Sequence, residues 1–240
     1  MAITNEKDRK ASRDERGKDM IVKVPVFIAL AMIIPFLPGR IMKLRKKCDL
    51  VGDRKRTLIT VISESVFLVS NLFLLLREDD LVNFVLLSSI LMLSAVVVIV
   101  DTRCRIIPNL CLFPMLLIAA GYLVYNMLRG AEWVNIPYSI ISMLMMCFGL
   151  ITLTNVLRFR GYLGAGDIKY CAVAAFLFTF SQRIVGMLIC TVLSMVLYLI
   201  PMFLAKKITM KSLIAFGPFI GFGVMGGICW QYLPASVFMG

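Results

Sequence analysis

Three carboxylates stand where chemistry could use them. Of the 14 acidic residues, Glu6, Asp8, Asp14, Glu15 and Asp19 fall in a charged N-terminal tail, and Asp49 and Asp53 in a basic loop. Glu78, Asp79, Asp80 and Glu132 lie in other polar connections. That leaves Glu64, Asp101 and Asp167, each in or beside an apolar block. Ionisable groups at membrane depth are costly and mark function by default. Asp101 ends one apolar block, in VVVIVDTRCRIIPNL, and Asp167 opens another, in GYLGAGDIKY. Two carboxylates that approach to about 3 Å cannot both ionise and share a proton, the arrangement of an aspartic protease. One takes a proton from water, the water attacks a peptide carbonyl, and the protonated partner stabilises the developing oxyanion.

The neighbours suit that chemistry. Gly164 and Gly166 are expected to allow unusual backbone angles and the close approach of a substrate strand. Pro108 is expected to break the chain before the next span, keeping the Asp101 loop short. Plainer roles exist for both acids. Asp167 could cap its helix, and Asp101 could pair with Arg103 or Arg105. The sequence has no histidine, which removes Ser–His and Cys–His nucleophile pairs and histidine-based zinc motifs. Cys48, Cys104, Cys111, Cys147, Cys171, Cys190 and Cys229 show no Cys-x-x-Cys spacing. They are expected to pack as small apolar residues, without a disulfide framework or metal site.

The elements that must position these groups are helices in a bilayer. The chain is 60% hydrophobic and 17% charged, with a mean hydropathy of +0.90, far from the usual soluble balance. Its apolar residues come in blocks of about 20, the length that crosses a membrane. Spans are expected near 24–39, 57–76, 82–100, 109–128, 134–156, 168–180, 184–205 and 213–233. This predicts an all-α polytopic transmembrane bundle of about eight spans, with seven as the alternative if the proline-rich first one does not cross. A solvated charged tail (1–20) precedes one membrane domain (21–240), with a short basic loop at 40–56. The net charge of +12 does not indicate nucleic acid, because the cations sit between apolar blocks. Arg40, Lys43, Arg45, Lys46, Lys47, Arg54, Lys55 and Arg56 make that first loop cytoplasmic. Alternation then brings Asp101 and Asp167 to the same cytoplasmic face, with the N-terminus outside in the eight-span arrangement.

At these residues the chain resembles the type IV prepilin peptidases, membrane aspartic proteases with a Gly-x-Gly-Asp motif. DTRCRIIPN (101–109) is similar to the family's first-aspartate motif, GAGDIK (164–169) to Gly-x-Gly-Asp-x-Lys, and FGPFIGFG (216–223) to its Phe-Gly-Pro-Phe segment. The three occur in order across residues 57–235. The resemblance implies that Asp101 and Asp167 are the catalytic pair. It implies supporting roles for Gly164, Gly166, Lys169, Arg103, Pro108, Asn109, Gly217 and Pro218. It also implies a prepilin or pseudopilin substrate, cut after the glycine that ends a basic leader, at the cytoplasmic face of the bacterial inner membrane. Glu64, in VISESVF (61–67), matches a glutamate of larger members and is expected to act as a supporting or packing group, or to pair with Lys55 or Arg56. No cofactor is expected.

Bifunctional members carry two Cys-x-x-Cys pairs between their first two spans and also methylate the new N-terminus. Residues 40–56 hold Cys48 alone, too few ligands for a tetrahedral zinc site, so a peptidase without the methyltransferase is expected. Presenilin-type proteases share Gly-x-Gly-Asp, but Val100 precedes Asp101 where they have tyrosine. The basic residues near the site (Arg103, Arg105, Arg158, Arg160, Lys169) do not attract a basic leader. They read as topology determinants and anionic-lipid contacts, with Lys169 either influencing Asp167 or snorkelling to the interface. A cation- or proton-coupled transporter using the same acids is the competing class. Such proteins place ions near the midplane, often within repeats, whereas here the acids sit at one face and no repeat is seen. A catalytically dead assembly factor is a third reading, disfavoured by the intact aspartates.

Overall fold

The computed structural model describes residues 6–33, 37–38, 53–156, 164–179, 181–204 and 215–232. Within them lie eight helices and no strand. We number them α1 (Glu6–Ile33), α2 (Asp53–Arg77), α3 (Leu81–Cys104), α4 (Asn109–Leu128), α5 (Asn135–Val156), α6 (Ala165–Phe178), α7 (Gln182–Leu204) and α8 (Gly217–Trp230). They fall in the order of the expected spans. By length and composition, α3, α4, Asn135–Asn155 of α5 and Arg183–Pro201 of α7 can each cross a membrane. The apolar part of α1 and all of α8 are shorter. The fold is a helical membrane bundle.

Local chemistry sets the helix limits near the site. Asp80 caps α3 by accepting the Val82 N–H at 2.9 Å, which satisfies one of the orphan donors of a helix start. Arg105 ends α3 in the left-handed region at φ 52°, and its N–H bonds the Asp101 carbonyl. Asp101 is therefore in the last turn. Pro108 stands at the cap of α4 with extended backbone, a position where its missing N–H costs nothing. The expected break is there, and the link between α3 and α4 is short.

The inner helices are α3, α6 and α8. Buried positions run almost unbroken along the second half of α3, from Leu93 to Asp101, and along α6 from Tyr170 to Ala175. The outer helices α5 and α7 leave apolar side chains exposed, among them Phe148, Leu153, Val192, Leu197 and Phe203, as lipid-facing surfaces do. α8 lies against α7 and α3, while α6 lies against α5 and α4. Glycines bring α8 close to α7. A Cβ at Gly223 would meet the Thr191 side chain, and one at Gly226 the Cys190 side chain. Small residues allow this kind of backbone approach in membranes.

The end of the bundle away from the aspartates is tied by polar contacts. Lys23 of α1 is 3% exposed, and its Nζ donates to the carbonyls of Glu78 and Asp79, each at 2.8 Å. Tyr232, just past α8, donates to the Glu78 carboxylate. Arg129 pairs with Asp80 at 3.1 Å. A cavity of about 560 Å³ at this end is lined by Tyr122, Asn126, Asn135, Thr179 and Arg183. Because Lys23 is anchored here, this part of α1 lies at the end of the bundle opposite the aspartates. The charged segment expected as a solvated tail is already helical from Glu6 and continuous with the apolar part of α1. Pro25 is accommodated inside that helix. The basic loop falls mostly at 39–52, outside the described residues.

Candidate active site

Asp101 sits in the last turn of α3 and is 4% exposed. Its Oδ2 accepts the backbone N–H of Gly217, the first residue of α8, at 3.0 Å. A helix start carries unpaired N–H groups and the positive end of the helix dipole, and so favours a carboxylate. Nothing bulkier than glycine fits there. A Cβ on Gly217 would come within 2.6 Å of Asp101 Oδ2 and 2.9 Å of its Cγ. Pro218 follows in the first turn of α8, where proline is tolerated.

Asp167 is 8% exposed and lies at the third position of α6, capped by Gly164. Its Oδ2 accepts the Gly164 N–H at 2.9 Å, while its own N–H bonds the Gly164 carbonyl at 3.0 Å. This is the backward half of a capping box. Asp167 is therefore not the N-cap weighed from sequence: glycine is the cap, and Asp167 bonds back to it from the third helical position. Asp101 and Asp167 come from different helices and lie at one end of the bundle, where Gly166, beside Asp167, packs on Ile107 of the loop that follows Asp101. Each is held by one backbone N–H at a helix start.

A model of the type IV leader peptidase family matches residues 85–203. The chain belongs to that family. The matched region holds both aspartates and ends before α8, so Gly217 lies beyond it. Comparisons with curated proteins and with solved structures find no match.

Other residues of this leader peptidase family member are less uniform in their placement. Gly164 has ordinary extended backbone (φ −75°, ψ 151°). The unusual angles expected of it are absent, because any residue can adopt this conformation. Gly166 does permit a close approach, but to the protein itself: a Cβ there would lie 3.0 Å from Cβ of Ile107. The room expected for a substrate strand is filled at that point by the loop between α3 and α4. Pro108 is buried beside Ile107, and Asn109 is exposed at the first position of α4. Arg103 is half-buried, and Lys169 is exposed, as a snorkelling lysine would be. Glu64 is half-buried on α2. The side chains of Lys55 and Arg56, proposed as its partners, lie outside the described residues.

Cys111 and Cys171 are buried, and Cys147, Cys190 and Cys229 half-buried, all with free thiols. Their apolar packing agrees with expectation. Cys104 differs, because it is disulfide-bonded; sequence spacing gave no sign of this. Among the described residues no cluster of three or more His, Cys, Asp or Glu could hold a metal ion.

Sequence reasoning passed over two hydroxyls. Tyr170 and Ser94 are both fully buried. Ser94, Val98 and Asp101 recur at helical spacing on one face of α3, and Asp167 and Tyr170 share a face of α6. The signal was a serine inside an otherwise apolar run and a tyrosine one turn beyond the aspartate.

Proposed function

We propose that this protein is an aspartic endopeptidase that removes the leader of prepilin-like precursors, cutting after a glycine at the cytoplasmic face of a bacterial membrane. The observation that carries the reading is the pair of buried carboxylates, Asp101 and Asp167, delivered by separate helices to one end of a leader peptidase bundle. Brought within about 3 Å of each other, two such acids share one proton. The ionised carboxylate accepts a proton from a water molecule as that water's oxygen bonds the scissile carbonyl carbon. The protonated carboxyl hydrogen-bonds the carbonyl oxygen and stabilises its charge. The tetrahedral intermediate then collapses. The C–N bond breaks, the new α-amine takes the proton gained from water, and the leader departs with a carboxylate.

Arg105 and Lys169, both exposed near the aspartates, support placing this end at the cytoplasm. The single cysteine in loop 40–56 supports leader removal without methylation of the new N-terminus. The substrate is a prepilin or pseudopilin carrying a short basic leader, a glycine and an apolar helix.

The test is cleavage of a synthetic prepilin-like peptide by purified protein in detergent. Cleavage after the glycine is expected for the wild type and none for Asp101→Asn or Asp167→Asn, each folded as judged by thermal unfolding. Undiminished cleavage by either variant sinks the reading. Methyl transfer from S-adenosylmethionine to the product would refute the peptidase-only part.

A further inference from the structure

The cavity of about 560 Å³ at the end of the bundle away from the aspartates has no part in the proposed cleavage. It lies where α4 and α6 end and where α5 and α7 begin. Tyr122 and Asn126 reach it from α4, Asn135 and Tyr138 from α5, Thr179 from the end of α6 and Arg183 from the start of α7. Its volume falls in the range of about 300–1,000 Å³ usual for ligand sites.

Arg183 gives the cavity its charge. The guanidinium donates one N–H to the Tyr122 hydroxyl at 3.0 Å and lies over the same ring. It has further N–H donors, and among the described residues it makes no ion pair. The acids of this end, Glu78, Asp79, Asp80 and Glu132, do not line the cavity. Glu78 accepts the Tyr232 hydroxyl, and Asp80 pairs with Arg129. Arg183 is also the second residue of α7. There the helix dipole disfavours a cation and favours an anion. Arg77 differs, because it stands in the last turn of α2, where the dipole suits it. Asn135 adds to the cavity a side-chain amide that bonds no described residue. Thr179, on the wall, is β-branched and yet holds φ 55°, the kind of strain that clusters at ligand sites.

The surroundings select the kind of anion. Helices α4, α5 and α7 can each cross a membrane, so a cavity at their ends lies at the bilayer boundary. Trp133, two residues before Asn135, is 74% exposed, as aromatic anchors at that boundary are. Tyr138 lines the cavity and is half exposed, so the cavity opens on the outer surface of α5. From Tyr138 exposed apolar side chains continue at helical spacing, through Ile141, Met145 and Phe148. On α7 Val185, Ile189 and Val192 do the same just beyond Arg183. Two apolar tracks therefore start at one cationic cavity.

We infer that this cavity is a phospholipid site: Arg183 binds the phosphate of an anionic headgroup, Asn135 hydrogen-bonds the headgroup, and the acyl chains lie along the exposed faces of α5 and α7. The bound lipid joins the starts of these two helices from outside the bundle. The inference is independent of the peptidase reading.

Thermal unfolding of the purified full chain in detergent tests it, with dioctanoyl phosphatidylglycerol as the probe. Wild-type Tm should rise and saturate, because a ligand that binds only the folded state stabilises it. Dioctanoylglycerol has the chains without the phosphate, and inorganic phosphate has the charge without the chains. Each should raise Tm much less. Arg183→Gln should weaken the apparent affinity for phosphatidylglycerol about tenfold, as loss of a charge-assisted bond does. Arg183→Lys keeps the charge and should weaken it less. An equal rise with inorganic phosphate overturns the lipid assignment in favour of a free anion. An equal rise with dioctanoylglycerol, or an unchanged affinity in Arg183→Gln, overturns the site. If Arg183→Gln fails to fold, Asn135→Leu decides alone: affinity should fall about threefold, and an unchanged value overturns the inference.

Discussion

The carboxylate of Asp101 accepts the N–H of Gly217 at 3.0 Å, joining the end of α3 to the beginning of α8. The space is so tight that the Gly217→Ala methyl would press on Oδ2 and Cγ. The variant must move either the carboxyl group or the helix start. Overpacking of this kind costs about 1–3 kcal/mol. Cleavage is expected to fall at least tenfold, with Tm lowered by a few degrees. Assaying activity per folded molecule separates the two effects, and full activity would show that the contact does not place the carboxyl group.

Asp167 has a structural task that can be parted from its proposed catalytic one. Asparagine keeps an oxygen to accept the Gly164 N–H, so Asp167→Asn should be inactive yet as stable as the parent. Alanine loses the acceptor. Asp167→Ala should be inactive and also less stable by about 1 kcal/mol, the usual worth of a helix cap. Thermal unfolding of both variants in one detergent distinguishes them.

Gly221 faces Val98 with no space for a methyl group. Gly221→Ala should destabilise the bundle by about 1–3 kcal/mol. Adding Val98→Ala makes room, so the double variant should recover part of that loss, because the two positions are in contact. Simple additivity of the two changes would mean the helices re-space themselves instead.

Lys23 is far from the aspartates and serves the other end. Lys23→Met keeps the apolar stem and loses the ammonium that bonds the Glu78 and Asp79 carbonyls. Buried hydrogen bonds to a charged group contribute about 1.5–3 kcal/mol each. Limited proteolysis should cut the α1 segment faster in this variant, while peptide cleavage per folded molecule stays at the wild-type level. Equal proteolysis rates would show that α1 is held by its apolar face alone.

Much of the architecture could be read before any coordinates, for a physical reason. Apolar blocks of bilayer length alternate across a membrane, so Asp101 at the end of one and Asp167 at the start of another had to share an end. The turns were equally legible: Pro108 stops the chain where proline must. What could not be read depends on side chains meeting across long separations. Nothing near Gly217 shows that its N–H bonds Asp101. Nothing in GAG shows that Gly166 faces Ile107 while Gly164 keeps ordinary angles. Ser94 and Tyr170 are inconspicuous in apolar runs until three helices place them together. The charged segment from Glu6 looked like a tail because its composition lacks apolar periodicity, yet it continues the helix of an apolar segment that follows it.

The bond between Asp101 and Gly217 spans 116 residues, which gives it a place in biosynthesis. A ribosome adding about 5–20 residues per second needs on the order of ten seconds to cover that distance. Through that interval α3 is already made, and Asp101 has no α8 to supply its donor. A nascent chain halted before Gly217 therefore carries an aspartate that lacks its restraint, and on the peptidase reading proposed above, cleavage should follow insertion of α8. Synthesis of α8 is then the step that would arm the proposed site.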